Sequence, residues 1–240
     1  MAPVTPDLPK TEVVIVEMTN AFRAENKLQV LRVNTVLATA AKAYAEYLAR
    51  TGKFAHEADG RQPADRAKSA GYSYCIVAEN LALNLDSRGF ETRALANGAV
   101  DGWKASPPHR AAMLQPHVTE IGVGIAQAAD KDPKFISVQL FGRPESLKYA
   151  FKIENHFGAE ISYRFSGKSQ TLPANALVTH TACIPGDINF EAAVPTSRFT
   201  ASDGAVFAIR RASDGALRVD MNVAAARAPD AANPAVKPAP

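Results

Sequence analysis

Trp103-Lys104-Ala105-Ser106-Pro107-Pro108-His109-Arg110-Ala111-Ala112-Met113-Leu114 places an aromatic anchor, a helix start signal and a histidine close together. Ser106 followed by Pro107 reads as an N-cap and first helical position, so one helix ends near Lys104 and another runs from Pro107 to Leu114. In that role the Ser106 hydroxyl is expected on a backbone N–H. A Ser–His nucleophile pair is therefore the weaker reading, and no Gly-x-Ser-x-Gly elbow accompanies it. Upstream, Glu91–Lys104 carries Ala94, Leu95, Val100 and Trp103 at helical spacing, which puts Trp103 in the core. Downstream, Ile121–Ala126 and Phe135–Phe141 read as strands joined by the turn Asp130-Lys131-Asp132-Pro133.

Toward the N-terminus, Thr11 is expected to cap a helix carrying Ile15, Met18, Ala21 and Phe22 and ending near Asn26. Asn34 caps a second one, with Leu37, Ala40, Ala41, Tyr44 and Leu48 on one face and Gly52 as its stop. Phe54–Gly60 is a polar loop, Pro63–Ala70 a short helix, and Cys75–Leu85 an apolar segment interrupted by Glu79-Asn80. Helices followed by a hairpin imply helices packed over a small antiparallel sheet.

Gly142-Arg143-Pro144 breaks the pattern. Beyond it, Tyr149–Asn155, Glu160–Phe165, Ala205–Arg210 and Leu217–Met221 alternate apolar with polar residues between Gly-containing turns, the signature of a β-rich domain. The expected organisation is a disordered lead over residues 1–10, an α+β domain over 11–144, a β-rich domain over 148–223 and a disordered Ala/Pro tail over 224–240.

A 47% hydrophobic, 21% charged composition is that of a globular chain. The net charge of +3 comes without a basic run or basic–aromatic interleaving, so nucleic acid is not an expected partner. No apolar run reaches membrane-spanning length. Met1-Ala-Pro-Val-Thr-Pro shows neither a basic nor an apolar leader region. A secreted or periplasmic location is expected if a leader has been removed, and a cytoplasmic one if Met1 is native. Cys75 and Cys183 are the two cysteines, and pairing or two buried thiols are equally open.

His56, Glu79 and His109 come from separate elements and could chelate zinc or serve as an acid–base set. An isolated His56 in a polar loop reads more simply as a turn residue. Glu79 in an apolar stretch requires either a partner or exposure. Asn80 is suited to holding a loop through backbone hydrogen bonds. Arg110 and Glu120 read as surface or helix-terminal charges, and His117, His156 and His180 as incidental.

Six elements in order resemble the bacterial branch of the CAP superfamily (cysteine-rich secretory proteins, antigen 5, pathogenesis-related proteins). They are Asn20-x-x-Arg23, Phe54-x-His56, Glu79-Asn80-Leu81-Ala82, Trp103-x-x-Ser106-x-x-His109-Arg110-x-x-Met113-Leu114, Ile121-Gly122-Val123-Gly124 and Val138-Gln139-Leu140-Phe141-Gly142. The resemblance covers somewhat over half of the chain. It implies a three-layer α-β-α sandwich with His56, Glu79 and His109 facing one cleft, and a divalent metal such as zinc at His56 and His109. Asn80 and Ser106 are then ligand-binding candidates. Many members carry a second glutamate three positions after the tryptophan; here Ser106 stands there, which leaves the acidic pair incomplete. The implied function is an extracellular module binding a small lipid, glycan or peptide. A metal- or histidine-dependent hydrolase and an envelope interaction scaffold are the alternatives.

Overall fold

A computed structural model describes residues 3–195 and 197–223. The chain divides into two units, residues 1–147 and 148–240. The expected tail over 224–240 lies outside the described residues.

In the first unit, α1 (Leu8–Glu25), β1 (Arg32–Val33), α2 (Thr35–Thr51), α3 (Pro63–Ser69), β2 (Tyr74–Leu85), α4 (Thr92–Ala105), α5 (Pro107–Met113), β3 (Glu120–Ala128) and β4 (Lys134–Pro144) follow in order. The sheet order is β1-β3-β4-β2, with β1 parallel to β3 and the other pairs antiparallel. Each sheet face carries its own core. Ile15 and Phe22 of α1, with Leu95, Val100 and Trp103 of α4, pack on Ile121, Val123 and Ile125. Leu37, Ala41, Tyr44 and Leu48 of α2 pack with Ala67 of α3 on Leu81, Ile136, Val138 and Leu140. The unit is thus a helix–sheet–helix sandwich.

The Ile-Gly-Val-Gly run shows how the layers meet. Alternate β3 residues leave opposite faces, so the isoleucines and valine enter the α1/α4 core while Gly122 and Gly124 face α2. A Cβ at Gly122 would overlap the backbone of Leu37 and Ala38, and one at Gly124 that of Ala41 and Lys42. Glycine here permits a close helix–sheet approach. At the ends of α2, Asn34 Oδ1 accepts from the Val36 and Leu37 N–H groups at 3.0 and 3.1 Å, and Gly52 closes the helix at φ 69°.

Two expectations at the N-terminus need correction. Asp7, not Thr11, caps α1, accepting from the Lys10 N–H at 3.1 Å; Pro9 lies in the first turn, where its missing N–H costs nothing. Thr11 is instead buried, and its hydroxyl donates back to the Asp7 carbonyl at 2.8 Å. Residues 3–10 are not a free lead either: the Val4 N–H donates to Arg88, its carbonyl accepts from Phe90, and helix begins at Leu8.

The second unit holds β5 (Tyr149–His156), β6 (Ile161–Phe165), β7 (Lys168–Leu172), β8 (Leu177–Ala182), β9 (Asp187–Phe190), β10 (Arg198–Thr200), β11 (Ala205–Arg211) and β12 (Leu217–Val223). They form two four-stranded sheets, β12-β11-β5-β8 and β10-β9-β6-β7. Phe151, Ile153, Tyr163, Ile188, Phe190, Phe207 and Ile209 fill the core they share. Asn155 is fully buried and donates to the carbonyls of Ala159, Leu172 and Pro173 at 2.8–2.9 Å, fastening two connections to the end of β5.

Candidate functional site

The site is built around β2, the strand at one end of the first unit's sheet. Glu79 and Asn80 are consecutive on it, so their side chains leave opposite faces. Glu79 lies on the α2/α3 side and accepts from Arg66 Nη2 at Oε2 (2.8 Å), while its Oε1 meets His56 Nδ1 at 2.8 Å. Both carboxylate oxygens are therefore engaged, and the side chain is 1% exposed. Arg66 is nearly as buried; its Nη1 donates to Asp59 Oδ1 at 2.9 Å and to the Arg61 carbonyl at 2.8 Å. Its guanidinium lies over the Tyr44 ring, 3.4 Å from the centroid. Of the two readings the sequence leaves open for Glu79, the structure shows the paired one.

The loop carrying His56 is tied down from α2. The Tyr44 hydroxyl donates to the Ala55 carbonyl at 2.6 Å and accepts from the Ala58 N–H at 3.1 Å, and the Tyr47 hydroxyl donates to the Ala58 carbonyl at 3.0 Å. These anchors fix the backbone on either side of the histidine while its ring stays 48% exposed. The hydrogen bond to Glu79 holds the imidazole pKa above its ordinary value, against the opposing effect of burial. His109 shifts the other way: burial lowers its pKa and the nearby charge of His56 adds to the effect. Asp59 stays below the usual carboxylate range although burial works to raise it, because hydrogen bonds from Arg61 and the charges of Arg66 and Arg61 outweigh that cost.

On the other sheet face, Asn80 Nδ2 donates to the His109 carbonyl and to Gln139 Oε1, both at 3.1 Å, and Gln139 Nε2 donates to the Thr19 hydroxyl at 2.9 Å. Asn80 is fully buried, so it fixes the backbone of His109 from below and presents no atom to a ligand. Ser106 does precede α5 as its N-cap, but its hydroxyl makes no capping hydrogen bond. Pro107 and Pro108 remove two of the N–H groups at this helix start, which leaves little to cap. Trp103 is a core residue, donating from Nε1 to the Leu81 carbonyl at 2.9 Å. Glu120 is not a surface charge: it is 7% exposed and receives hydrogen bonds from Tyr72 (2.7 Å), Arg32 (2.9 Å) and Asn34 (3.2 Å).

Asn20 and Arg23 are braces. Asn20 exchanges two hydrogen bonds with Leu31, and buried Arg23 donates to the carbonyls of Gln29, Met113 and Gln115 at 2.7–3.0 Å, holding the end of α5. Asp59, Arg66, Tyr44 and Tyr47 support the site without having been singled out from the sequence. The one available signal was Tyr44-x-x-Tyr47, two hydroxyl-bearing rings a helical turn apart, the first of them on the apolar stripe of α2.

With Glu79 fully committed, the nitrogen donors left for a cation are His56 Nε2 and the His109 ring. Among the described residues no group of three His, Cys, Asp or Glu side chains assembles for a metal. Two imidazoles fall one short of the three protein ligands usual for catalytic zinc, so the donor set does not fit a resident zinc centre of that kind. Both cysteines, Cys75 and Cys183, are disulfide-bonded. No described helix is long and apolar enough to cross a membrane.

The description of the cysteine-rich secretory protein (CAP) family matches residues 16–141. An uncharacterized Bacillus subtilis protein, YkwD, is 32% identical over 115 residues, which are 48% of this chain and 42% of the relative. The chain thus spans under half the length of that relative. Among solved structures, an outer surface protein of Borrelia burgdorferi is 24% identical, covering 56% of this chain and 92% of its own, with a TM-score of 0.48. An extracellular SCP-domain protein of Bacillus anthracis is 23% identical, covering 60% and 45%, with a TM-score of 0.48.

Proposed function

The chain belongs to the cysteine-rich secretory protein (CAP) family, and on that premise we propose that its first unit is an extracellular binding module for a short peptide or glycan, which docks on His56 and His109. The carrying observation is the buried Arg66–Glu79–His56 chain, 2.8 Å at each link, which ends in a half-exposed ring. Glu79 fixes His56 through Nδ1, so Nε2 is the atom offered outward. The two histidines are tuned in opposite directions, His56 upward by its Glu79 hydrogen bond and His109 downward by burial, and imidazole nitrogens can both donate and accept. Two polar ring edges suit hydroxyl and amide groups better than an acyl chain, which supports peptide or glycan over lipid.

The test is an NMR titration of the full chain with N-acetylglucosamine tetramer and with a capped tetra-alanine peptide, beside His56→Ala/His109→Ala. Saturable shifts of both histidine rings by either probe, abolished in the double variant, support the reading; rings that neither probe moves refute it.

The His–carboxylate pair also favours a second reading, a hydrolase in which His56, oriented by Glu79, acts as general base. Release of p-nitrophenol from p-nitrophenyl acetate distinguishes the two: turnover above the uncatalysed rate that is lost in His56→Ala favours the hydrolase, and a rate equal to background favours the module.

A further inference from the structure

Away from the histidine pair, α2 and α3 border a groove of about 340 Å³. Ala43, Tyr47 and Arg50 line it from α2, and Arg61, Arg66 and Ser69 from the opposite side. A volume of this order lies within the range of small-molecule sites.

The charges in this groove are not balanced at its surface. Asp59 is the carboxylate in its lining, and its side chain is 8% exposed, sealed beneath two arginines. Its Oδ1 accepts from Arg66 Nη1 and its Oδ2 from Arg61 Nη2, each at 2.9 Å. Glu79, also bonded to Arg66, has both oxygens engaged. The cationic heads remain accessible: Arg61 is 53% exposed, and Arg50 is exposed with no ion-pair partner among the described residues. The Arg50 guanidinium sits 5.7 Å from the Tyr47 ring centroid. Guanidinium groups donate and never accept, so the groove presents donors while its carboxylate acceptors are already used.

Tyr47 adds a platform. Its ring is stacked on Tyr44 at 6.1 Å with an 8° interplanar angle, and its hydroxyl is fixed on the Ala58 carbonyl. A ring held at both ends loses little entropy when a ligand packs against it.

We infer that this groove binds a small organic carboxylate, with the acid group on Arg50 and Arg61 and a compact body against Tyr47. An acidic sugar and the terminal carboxylate of a short peptide share that chemistry. The site has Arg66 in common with the His56 chain of contacts but does not rest on the function proposed for the histidines.

The full chain, ¹⁵N-labelled at arginine, is titrated with glucuronate and with N-acetyl-alanyl-alanine, each beside its neutral counterpart, glucose or the dipeptide amide. Arginine Nε–Hε signals and the Tyr47 ring report binding. At least one acid is expected to give saturable shifts, and the arm that responds identifies the source of the carboxylate. Its neutral counterpart is expected to bind about tenfold or more weakly, the consequence of losing one charge-assisted contact. Arg50→Gln, on an exposed side chain, is expected to weaken the acid by a similar factor with the thermal midpoint unchanged. Tyr47→Leu, which keeps a bulky apolar residue, is expected to weaken it as well. The inference is overturned if neither acid saturates, if acids and neutral counterparts shift the signals alike, or if Arg50→Gln titrates as wild type.

Discussion

Glu79→Gln is the sharpest test of how this site is held. The substitution keeps the shape of the side chain but removes its charge and turns one acceptor into a donor. At Oε1 a Gln oxygen can still accept from His56. At Oε2 the new NH₂ faces Arg66 Nη2, now 2.8 Å from an acceptor, so two donors oppose each other. Arg66 is 5% exposed, and the Glu79 side chain 1%. Breaking a buried pair from one side costs about 3–5 kcal/mol; Asp59 still compensates Arg66, so the lower end, about 3 kcal/mol, is expected. For a domain of this size that corresponds to a fall of roughly 6–12 °C in the melting midpoint. His56→Ala should cost under about 1 kcal/mol, because that partner is half exposed and solvent screens it.

The same variant should lower the His56 pKa, since the Glu79 hydrogen bond is the main cause of its elevation and the burial left behind acts in the opposite direction. Calorimetry at pH 7 gives the melting midpoint, and an NMR titration of the His56 ring gives its pKa. A Glu79→Gln protein that melts with wild type and whose His56 titrates unchanged would refute the reasoning.

Gly124→Ala should destabilise the first unit by roughly 3 kcal/mol, the upper end for overpacking, because the added Cβ meets helix backbone rather than a movable side chain; a urea midpoint equal to wild type, followed by Trp103 fluorescence, would contradict this. In the second unit, His180 sits among Phe151, Tyr163 and Phe165, with Nε2 at 2.8 Å from the Tyr163 hydroxyl, and burial lowers its pKa. A depressed histidine pKa gives stability that is full above the unfolded value of about 6.5 and is lost as pH falls toward the folded value. Urea midpoints of second-unit NMR signals should therefore drop between pH 7.5 and 5, and His180→Gln should flatten that dependence; an equal slope in the variant would remove His180 as the cause. Denaturing alkylation without reductant should leave Cys75 and Cys183 unlabelled, with two labels gained after reduction; labelling before reduction would contradict the disulfide.

The sequence by itself marked α2 to α5 and the β3–β4 hairpin, because their signals are local; it missed the start of α1, the two-residue β1 and the strand character of β2. Asn34 and Gly52 bracket α2, Ser106-Pro107 opens α5, and period-two alternation with turn residues marks β3 and β4. The order of six short motifs, read together, placed the chain in its family, although most of those motifs carry packing rather than chemistry: Asn20 and Arg23 brace loops, and Gly122 and Gly124 admit a helix. In the second unit β5, β6, β11 and β12 were legible from alternation. Strands such as β7, Lys168–Leu172, were not, since that polar run buries only its last residue and lacks an apolar period.

Tertiary structure alone decided what His56, Glu79 and His109 are worth. Nothing local distinguishes an exposed loop histidine from one held at 2.8 Å by a buried carboxylate. Arg66, thirteen residues before Glu79, becomes its partner only when α3 folds against β2. Glu120 looked like a surface charge until Tyr72, Arg32 and Asn34 converged on it from distant positions. A capping residue or an apolar period is a property of neighbours along the chain. Burial, pairing and the pKa shifts that follow depend on which segments the fold brings together, and that is written in the packing.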